Sequence, residues 1–377
     1  MFSLLLQNPP QTQAELDNIL SFFEQAVEQD PNDAGAQIGA AMTYLLRAVE
    51  ELSQTYGFEL PLGTSEATIT SLSDAVALVR GAKPAACVED LVGACLFLRP
   101  SAVGVRQIIP GTEPPLNIND LQQSVETVVI PALENAISAL QVAENITDPI
   151  MVLTPPEGDS ITITSADAYV LECAAQLLRA LLYHLVAYSL DFGNFDWSVY
   201  DSPTAPDSDG NGMSTPAEYL PPDPFLTLRS DGATKMSTAL QALLRAISCA
   251  RTALTSAPST HWWYAERPQD PQKHQYVLDK LNEAQEILTG PTTQTLTYRD
   301  STGTERTVEL QLNAPRIWNN PVSDIKDLMP TFELSSEGRI VGVSWPDKTF
   351  NGVLVNGNEL PPELFQPPIG GEGGGSS

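Results

Sequence analysis

Apolar side chains recur at every third or fourth position up to about residue 290, which is the period of amphipathic α-helices. Thr12 and Glu15 form a capping box, so we expect the first helix to begin there and to end near Gln29. The turn at residues 30–33 then precedes a second helix. The apolar positions of this predicted pair are Leu16, Ile19, Leu20, Phe23 and Val27, then Ile38, Met42, Leu45, Val49 and Leu52.

The same period predicts helices through the middle of the chain. Two are expected within residues 66–98, and a long one runs from Asp120 to Asn145 with a kink at Pro131. The broadest apolar stripe belongs to a helix that Ser165 can cap. Its members are Val170, Cys173, Leu177, Leu181, Leu185 and Tyr188. Further helical stripes occupy residues 236–254 and 277–288.

Short stretches of the chain show strand and turn patterns instead. Residues 150–153 and 160–164 flank a Pro-Pro-Glu-Gly-Asp turn and predict a small hairpin. Residues 296–310 predict a second hairpin, and residues 339–345 predict another strand. The pattern as a whole predicts a mainly α fold of antiparallel helix pairs, with small β-hairpins and a short β-rich C-terminal part.

Pattern and composition divide the chain into four segments. These are an apolar N-terminal arm at 1–11, a helical domain at 12–290, a β-rich part at 291–365 and a Gly-rich tail at 366–377. The Gly-rich composition predicts a flexible tail. The arm suits addition to a groove or sheet edge of a neighbouring copy, and the alternative is that it folds back on its own core.

The charge balance narrows the choice of partner. Forty-seven acidic residues stand against nineteen basic ones, which gives a formal net charge of −28. Nucleic acids and anionic membranes need clustered Lys and Arg, so we expect neither as a partner. The most apolar stretch, from Tyr169 to Leu190, contains Glu172, Arg179 and His184, which argues against membrane insertion. Cations are the natural counterpart of this surface.

One stretch has a specific ligand pattern, Asp207-Ser-Asp-Gly-Asn-Gly-Met-Ser-Thr-Pro-Ala-Glu218. Side-chain oxygens stand at positions one, three and five, a Gly at position six allows a sharp turn, and a Glu closes position twelve. This spacing is typical of twelve-residue calcium loops, so we predict calcium as the ligand. The predicted metal ligands are Asp207, Asp209, Asn211, Met213 through its carbonyl, Thr215 through a water, and Glu218.

Prolines lie on both sides of this loop, in Ser-Pro-Thr-Ala-Pro206 before it and in Leu-Pro-Pro222 after it. Because Pro interrupts helices, the entering and exiting helices of an EF-hand are not expected. The loop therefore resembles the calcium loops of secreted modules such as dockerins. That resemblance implies an ion that staples a surface segment, whereas a calcium sensor would move helices.

The first helix junction carries a second resemblance. Residues 30–33, followed by Ala34, Ala36, Ala41 and Tyr44, are similar to one tetratricopeptide-type repeat. The pattern does not recur at that family's fixed period of about 34 residues, so a regular array is not predicted. With the calcium loop, the chain resembles secreted bacterial proteins that combine such helices with an extracellular-type calcium site. The resemblance implies an irregular tetratricopeptide-like fold and an extracellular location.

Other candidate chemistry is limited. The aromatic run His261–Tyr264 offers a stacking surface for a glycan, or packing of a loop against helices. The four cysteines, Cys87, Cys95, Cys173 and Cys249, lack metal-ligand spacing and are either buried thiols or disulfide partners. The GxSxG, HExxH, GxxxxGK[ST] and GxGxxG motifs are absent, so we do not expect an enzyme.

Three functions are compatible with these features. The first is a calcium-stabilised extracellular structural protein that self-assembles into a homo-oligomer, filament or surface layer. The second is a monomeric helical-repeat adaptor that binds a protein or peptide. The third is a glycan-binding protein that uses the aromatic run. We predict the first, because acidity and the calcium loop both favour it.

Overall fold

The computed structural model describes most of the chain outside a few segments. The described residues are 12–51, 60–61, 68–69, 118–146, 149–153, 161–193, 195, 206–256, 271–300 and 302–365. Several predicted features lie outside them: the N-terminal arm, the helices at 66–98 with Cys87 and Cys95, the aromatic run His261–Tyr264 and the Gly-rich tail. Helices predominate in the described part, which confirms the prediction of a mainly α fold.

The helices are α1 (Gln13–Gln29), α2 (Ala34–Glu50), α3 (Ile118–Ser124), α4 (Ile130–Ala143), α5 (Ser165–Ala187), α6 (Pro216–Tyr219), α7 (Gly232–Ser256), α8 (Pro271–Thr289) and α9 (Arg316–Asn319). The strands are β1 (Leu60–Pro61), β2 (Thr68–Ile69), β3 (Met151–Leu153), β4 (Ile161–Ile163), β5 (Met213–Ser214), β6 (Thr292–Arg299), β7 (Glu305–Leu312), β8 (Thr331–Leu334) and β9 (Ile340–Ser344). The strand pairs β1–β2, β3–β4, β6–β7, β5–β8 and β8–β9 are all antiparallel.

Helices α1 and α2 pack as an antiparallel pair around a close approach at Gly39. A Cβ atom at this glycine would lie 2.2 Å from the ring of Phe23, which is buried in α1. The Asp33 carboxylate caps α2 by accepting the Ala36 N–H at 3.0 Å. The ring of Phe23 therefore packs directly against α2 at the point where Gly39 has no side chain.

A π-helical turn at Val125–Val129 joins α3 to α4, where the sequence predicts a kink at Pro131. The Ile130 N–H donates to the carbonyl of Val125, five residues back. Pro131 has no N–H, and its ring crowds the carbonyl four residues earlier in a regular helix. A widened turn just before the proline relieves that crowding.

The N-terminal cap of helix α5 is Thr164, one residue earlier than the sequence predicts. Thr164 occupies the cap position, because its carbonyl accepts the Ala168 N–H, while its own N–H and Oγ1 donate to Asp167 at 2.8 and 3.1 Å. Ser165, the predicted cap, is instead the first helical residue. The carboxylate of Asp167 reaches back to the cap as a Glu does in a capping box.

The described residues fall into two compact units. The first takes residues up to 185 and 238–285, and the second takes 186–237 and the residues from 286 onward. In the first unit, α2, α4 and α5 share a dry core of small and branched side chains. Its members are Ile38, Ala41, Met42, Ala136, Ala139, Leu140, Ala143 and Ala168.

The second unit holds a three-stranded sheet with strand order β5-β8-β9 and the separate hairpin β6–β7. Trp345 follows β9, and its indole N–H donates to the carbonyl of Phe365 at 2.9 Å. The ring of Phe350 lies 5.2 Å from that of Trp345. These aromatic contacts fix the segment after β9.

Two helical stretches, Ile118–Ala143 and Ser165–Ala187, are long and apolar enough to cross a membrane. Half of each apolar window is buried inside the structure, and core helices of soluble proteins meet the same criterion. The two stretches are therefore weak evidence for a membrane span.

Candidate metal centre

The predicted calcium loop, residues 207–218, is a tight turn in the second unit. Gly210 and Gly212 have φ values of +68° and +79°, in the left-handed region that glycine enters at no steric cost. The last residues of the loop form one helical turn, α6, with Pro216 as its first residue. The local sequence therefore bends the loop back on itself, so that the two ends of the loop approach each other.

Asp207 and Asp209 shape the first half of the loop through backbone hydrogen bonds. The carboxylate of Asp207 accepts the N–H groups of Asn211 and Gly212 at 3.1 and 3.0 Å. Asp209 accepts the Asn211 N–H at 3.1 Å and the Asn211 side-chain amide at 2.9 Å. The oxygen of the Asn211 side chain accepts the Met213 N–H at 2.7 Å. The turn is thus held by donors that point toward carboxylates.

Glu218 closes the loop from end to end. One of its carboxylate oxygens accepts the N–H and hydroxyl of Ser208 at 2.8 and 2.9 Å, and the other accepts the N–H and hydroxyl of Thr215 at 2.8 and 3.0 Å. The Thr215 backbone N–H is the largest influence that lowers the pKa of Glu218, to about 2. Glu218 therefore stays ionised at any physiological pH.

The structure brings three of the six predicted ligands together. Oxygens of Asp207, Asp209 and Glu218 lie within 4.8 Å of one another. Among the described residues, these carboxylates form no ion pair with Lys or Arg within 4.0 Å. Each pair of like charges at this distance costs about 1 kcal/mol in water and about 3–4 kcal/mol at an effective dielectric constant of 20. A cation would relieve that repulsion.

The other predicted ligands maintain the shape of the loop. Asn211 and Thr215 hydrogen-bond to Asp209 and Glu218, as described above, and Met213 belongs to β5. Hard oxygen donors grouped in this way suit Ca²⁺ by their chemistry, and the flexible 6–8-fold coordination of Ca²⁺ tolerates an irregular loop. The carboxylates at positions one, three and twelve could therefore hold a metal ion, and oxygen donors of this kind are the ones that Ca²⁺ uses.

The loop is also joined to a distant part of the chain. Met213 and Ser214 pair with Glu333 and Phe332 of β8, and the Leu334 N–H donates to the Gly212 carbonyl at 2.8 Å. Just beyond the loop, the hydroxyl of Tyr219 donates to the carbonyl of Pro330. No sequence signal marks this pairing, because β5 has only two residues. Two residues of the predicted calcium loop thus form an edge strand of the sheet.

Relatives were sought by three comparisons. No protein-family model, curated protein or solved structure matches the chain. The interpretation of the sites therefore depends on their geometry.

A second polar cluster, which the sequence analysis did not identify, lies in the first unit. It consists of Glu144 at the end of α4, Glu172 in α5, and Arg245 and Cys249 in α7. Glu172 is fully buried, and Glu144 is 9% exposed. The Arg245 guanidinium contacts a Glu172 oxygen at 2.5 Å and a Glu144 oxygen at 2.7 Å. One arginine thus links two buried carboxyl groups.

The two carboxyl groups of this buried cluster differ in their surroundings. Glu172 accepts five hydrogen bonds, from Gln141, Gln176, Cys249 and two Arg245 nitrogens, at 2.5–3.0 Å. Burial alone would raise the pKa of Glu172, but the hydrogen bonds outweigh it and hold the pKa at about 2. Burial, reinforced by the Glu172 carboxylate, raises the pKa of Glu144 to about 8.

The buried cysteines complete this description. Cys173 and Cys249 are both buried, and no disulfide links them. The Cys249 thiol donates to Glu172 at 2.9 Å. Burial and the adjacent Glu172 carboxylate raise the pKa of Cys249, which keeps the thiol protonated and unreactive.

A signal for the cluster was present in the sequence, because Glu172 interrupts the most apolar stretch of the chain.

Proposed function

We propose that the protein is a calcium-stabilised extracellular structural protein that self-assembles. The observation that carries the calcium part is the convergence of the Asp207, Asp209 and Glu218 carboxylates within 4.8 Å. The side chains of these residues and of Asn211 would hold the ion, together with the Met213 carbonyl and a water on Thr215. The ion would offset most of the negative charge of these three carboxylates and would fix β5 against β8.

The expected effect of calcium on stability follows from mass action. Extracellular calcium modules bind with dissociation constants of about 0.1–1 mM. At a calcium concentration about ten times the dissociation constant, binding stabilises the folded state by about 1.4 kcal/mol, and at a hundredfold excess by about 2.7 kcal/mol. Calcium would therefore stabilise the folded loop outside a cell, where calcium is abundant, and this stabilisation would be lost when the ion is withdrawn.

Thermal unfolding with calcium and with a chelator tests this part. We expect chelation to lower the melting temperature of the wild type, and Asp209→Asn to remove most of that difference. Asp347→Asn is a matched control. Asp347 also accepts backbone N–H groups in a turn of the second unit, including that of Thr349 at 2.8 Å, but it lies outside the loop. This substitution should lower the stability while leaving the effect of calcium intact. An unchanged melting temperature on chelation would refute calcium binding.

Self-assembly is the second part of the proposal. Two features support it. The formal charge is −28, so divalent ions could bridge acidic groups on neighbouring copies. The apolar arm at 1–11 could add to a neighbouring copy. Light scattering and electron microscopy with and without calcium test it. Calcium-dependent growth of a homo-oligomer or filament is the expected result. A monomer at high concentration in both conditions would exclude assembly and would leave a helical-repeat adaptor as the better reading.

We also propose that α1 and α2 form a tetratricopeptide-like helix pair. Two helices of equal length, a four-residue junction and a glycine at the closest approach support this proposal. The Asp17–Arg47 ion pair at 3.8 Å and the hydrogen bond of Tyr44 to Glu24 at 2.5 Å show the antiparallel alignment. The pair would serve as a rigid building block of the assembling subunit.

A further inference from the structure

The buried cluster of Glu144, Glu172, Arg245 and Cys249 is short of positive charge. With both carboxyl groups ionised and the thiol neutral, its net charge is −1, since one guanidinium faces two carboxylates. Leaving such a charge uncompensated inside a protein is strongly unfavourable. Among the described residues, Glu144 Oε1 and Gln176 Oε1 are also buried without a hydrogen-bond donor. The cluster therefore lacks one positive charge and at least one donor.

A metal ion fits this deficit poorly. One oxygen each of Glu144 and Glu172 and the Cys249 sulfur lie within 4.8 Å of one another, as metal ligands would. The oxygens of Glu172 already accept five hydrogen bonds, however, and the Cys249 thiol is one of the donors. A structural metal site needs about four ligand atoms, whereas a proton needs one. In the part of the chain that the structure describes, Glu144 Oε1 is the carboxyl oxygen of the pair that has no donor.

Position in the helix decides which carboxyl group takes the proton. Glu144 follows the last residue of α4, where the final carbonyl groups of the helix give a partial negative charge. That field disfavours a carboxylate there. Glu172 is in mid-helix and is surrounded by donors, which favours its ionised form. A proton on Glu144 also makes that group a hydrogen-bond donor, which the cluster lacks.

We propose that Glu144 and Glu172 share one proton, carried on Glu144, and that this proton holds α4, α5 and α7 together until alkaline pH removes it. The groups that face Glu144 are Glu172 and Tyr169 of α5, with Arg245 and Cys249 of α7. Burial raises the pKa of Tyr169 above its ordinary value, so the tyrosine stays neutral over the relevant range. The helical unit is thus a pH-sensitive element, separate from the calcium loop.

The direction of the effect follows from the proton count. The pKa of Glu144 is about 8 in the folded state, against about 4.3 for an exposed Glu. The stabilisation by this proton is complete below about pH 4.3 and is lost as the pH rises through about 8. Between these values the folded state binds one more proton at Glu144, so the unfolding equilibrium constant rises by up to about tenfold per pH unit.

Urea unfolding of the full chain between about pH 6 and 9 tests the proposal, with chelator present to remove the effect of calcium. Glu144→Gln mimics the neutral carboxyl group. The free energy of unfolding of this variant, relative to that of the wild type, should therefore increase as the pH is raised. Parallel pH profiles for the two proteins would overturn the proposal. Glu172→Gln is the contrasting variant, which we expect to be destabilised because it removes the ionised partner of Arg245.

Infrared spectroscopy of the folded wild type gives a test that does not depend on folding of a variant. The C=O stretch of a protonated carboxyl group should be present at about pH 7, where an ordinary Glu is ionised, and should disappear above about pH 9. Absence of this band at neutral pH would overturn the proposal. So would a rise in melting temperature with Zn²⁺ that Cys249→Ser abolishes, since a metal would then occupy the cluster.

Discussion

Substitution of Gly39 in α2 tests the helix pair most directly. An Ala Cβ at this position would lie 2.2–2.5 Å from three ring atoms of Phe23, whereas ordinary contacts are 3.4 Å or longer. The ring or the helix must therefore move by about 1 Å. Overpacking of this kind costs about 1–3 kcal/mol, and displacement of the buried ring adds to that cost. The better helix propensity of Ala returns about 1 kcal/mol. We expect a net loss of about 1–2 kcal/mol.

Gly35 in the same helix is the matched control for Gly39→Ala. An added Cβ there would meet the end of the Met151 side chain at 3.1 Å and the Asp33 carboxylate at 3.2 Å. The Met side chain is flexible and can yield, so Gly35→Ala should be neutral or stabilising by up to about 1 kcal/mol. Urea unfolding of both variants gives the comparison. A Gly39→Ala protein as stable as the wild type would show that the close packing against Phe23 is incorrect.

Substitutions at three further positions test other parts of the structure. Asp167→Ala removes the Asp167 oxygen that accepts from two buried donors of Thr164, so thermal unfolding should show a loss of about 1–2 kcal/mol. Asp167→Asn should lose less. Ser214→Ala removes a buried hydroxyl that has no hydrogen-bond partner among the described residues, and we expect unchanged or slightly greater stability by the same assay, so a clear loss would contradict that environment. In calcium-free buffer, the stabilisation from the lowered pKa of Glu218 should be present above about pH 4.3 and be lost as the pH falls toward about 2. The Glu218→Gln protein should lack this acid-dependent step, and an identical acid profile would count against it.

Local patterns in the sequence predicted the individual elements well. The capping box at Thr12 marks the start of α1, which ends at Gln29, and the turn at residues 30–33 is followed by α2. These features depend on neighbouring residues, which a single sequence displays. The prediction of a mainly α fold is confirmed on this basis, while the tetratricopeptide-like arrangement stays a prediction.

Contacts between distant residues could not be predicted in the same way. Arg245 reaches Glu172 from a position 73 residues later, and neither residue indicates its partner by spacing. The calcium loop was predicted because the residues of its pattern all fall within twelve positions, and calcium binding itself stays a prediction. Its pairing with β8 was not recognised, because a two-residue strand leaves no alternating pattern.

The link between the calcium loop and β8 has a consequence for the order of folding. Tyr219 and Pro330 are 111 residues apart, so one edge of the sheet is complete long before its central strand has been made. Contacts of such long range close slowly, because a large loop must first lose its freedom. A loop that binds the proposed ion before β8 is in place would offer β8 a preformed edge and would reduce that loss. We therefore expect calcium to increase mainly the folding rate of the second unit.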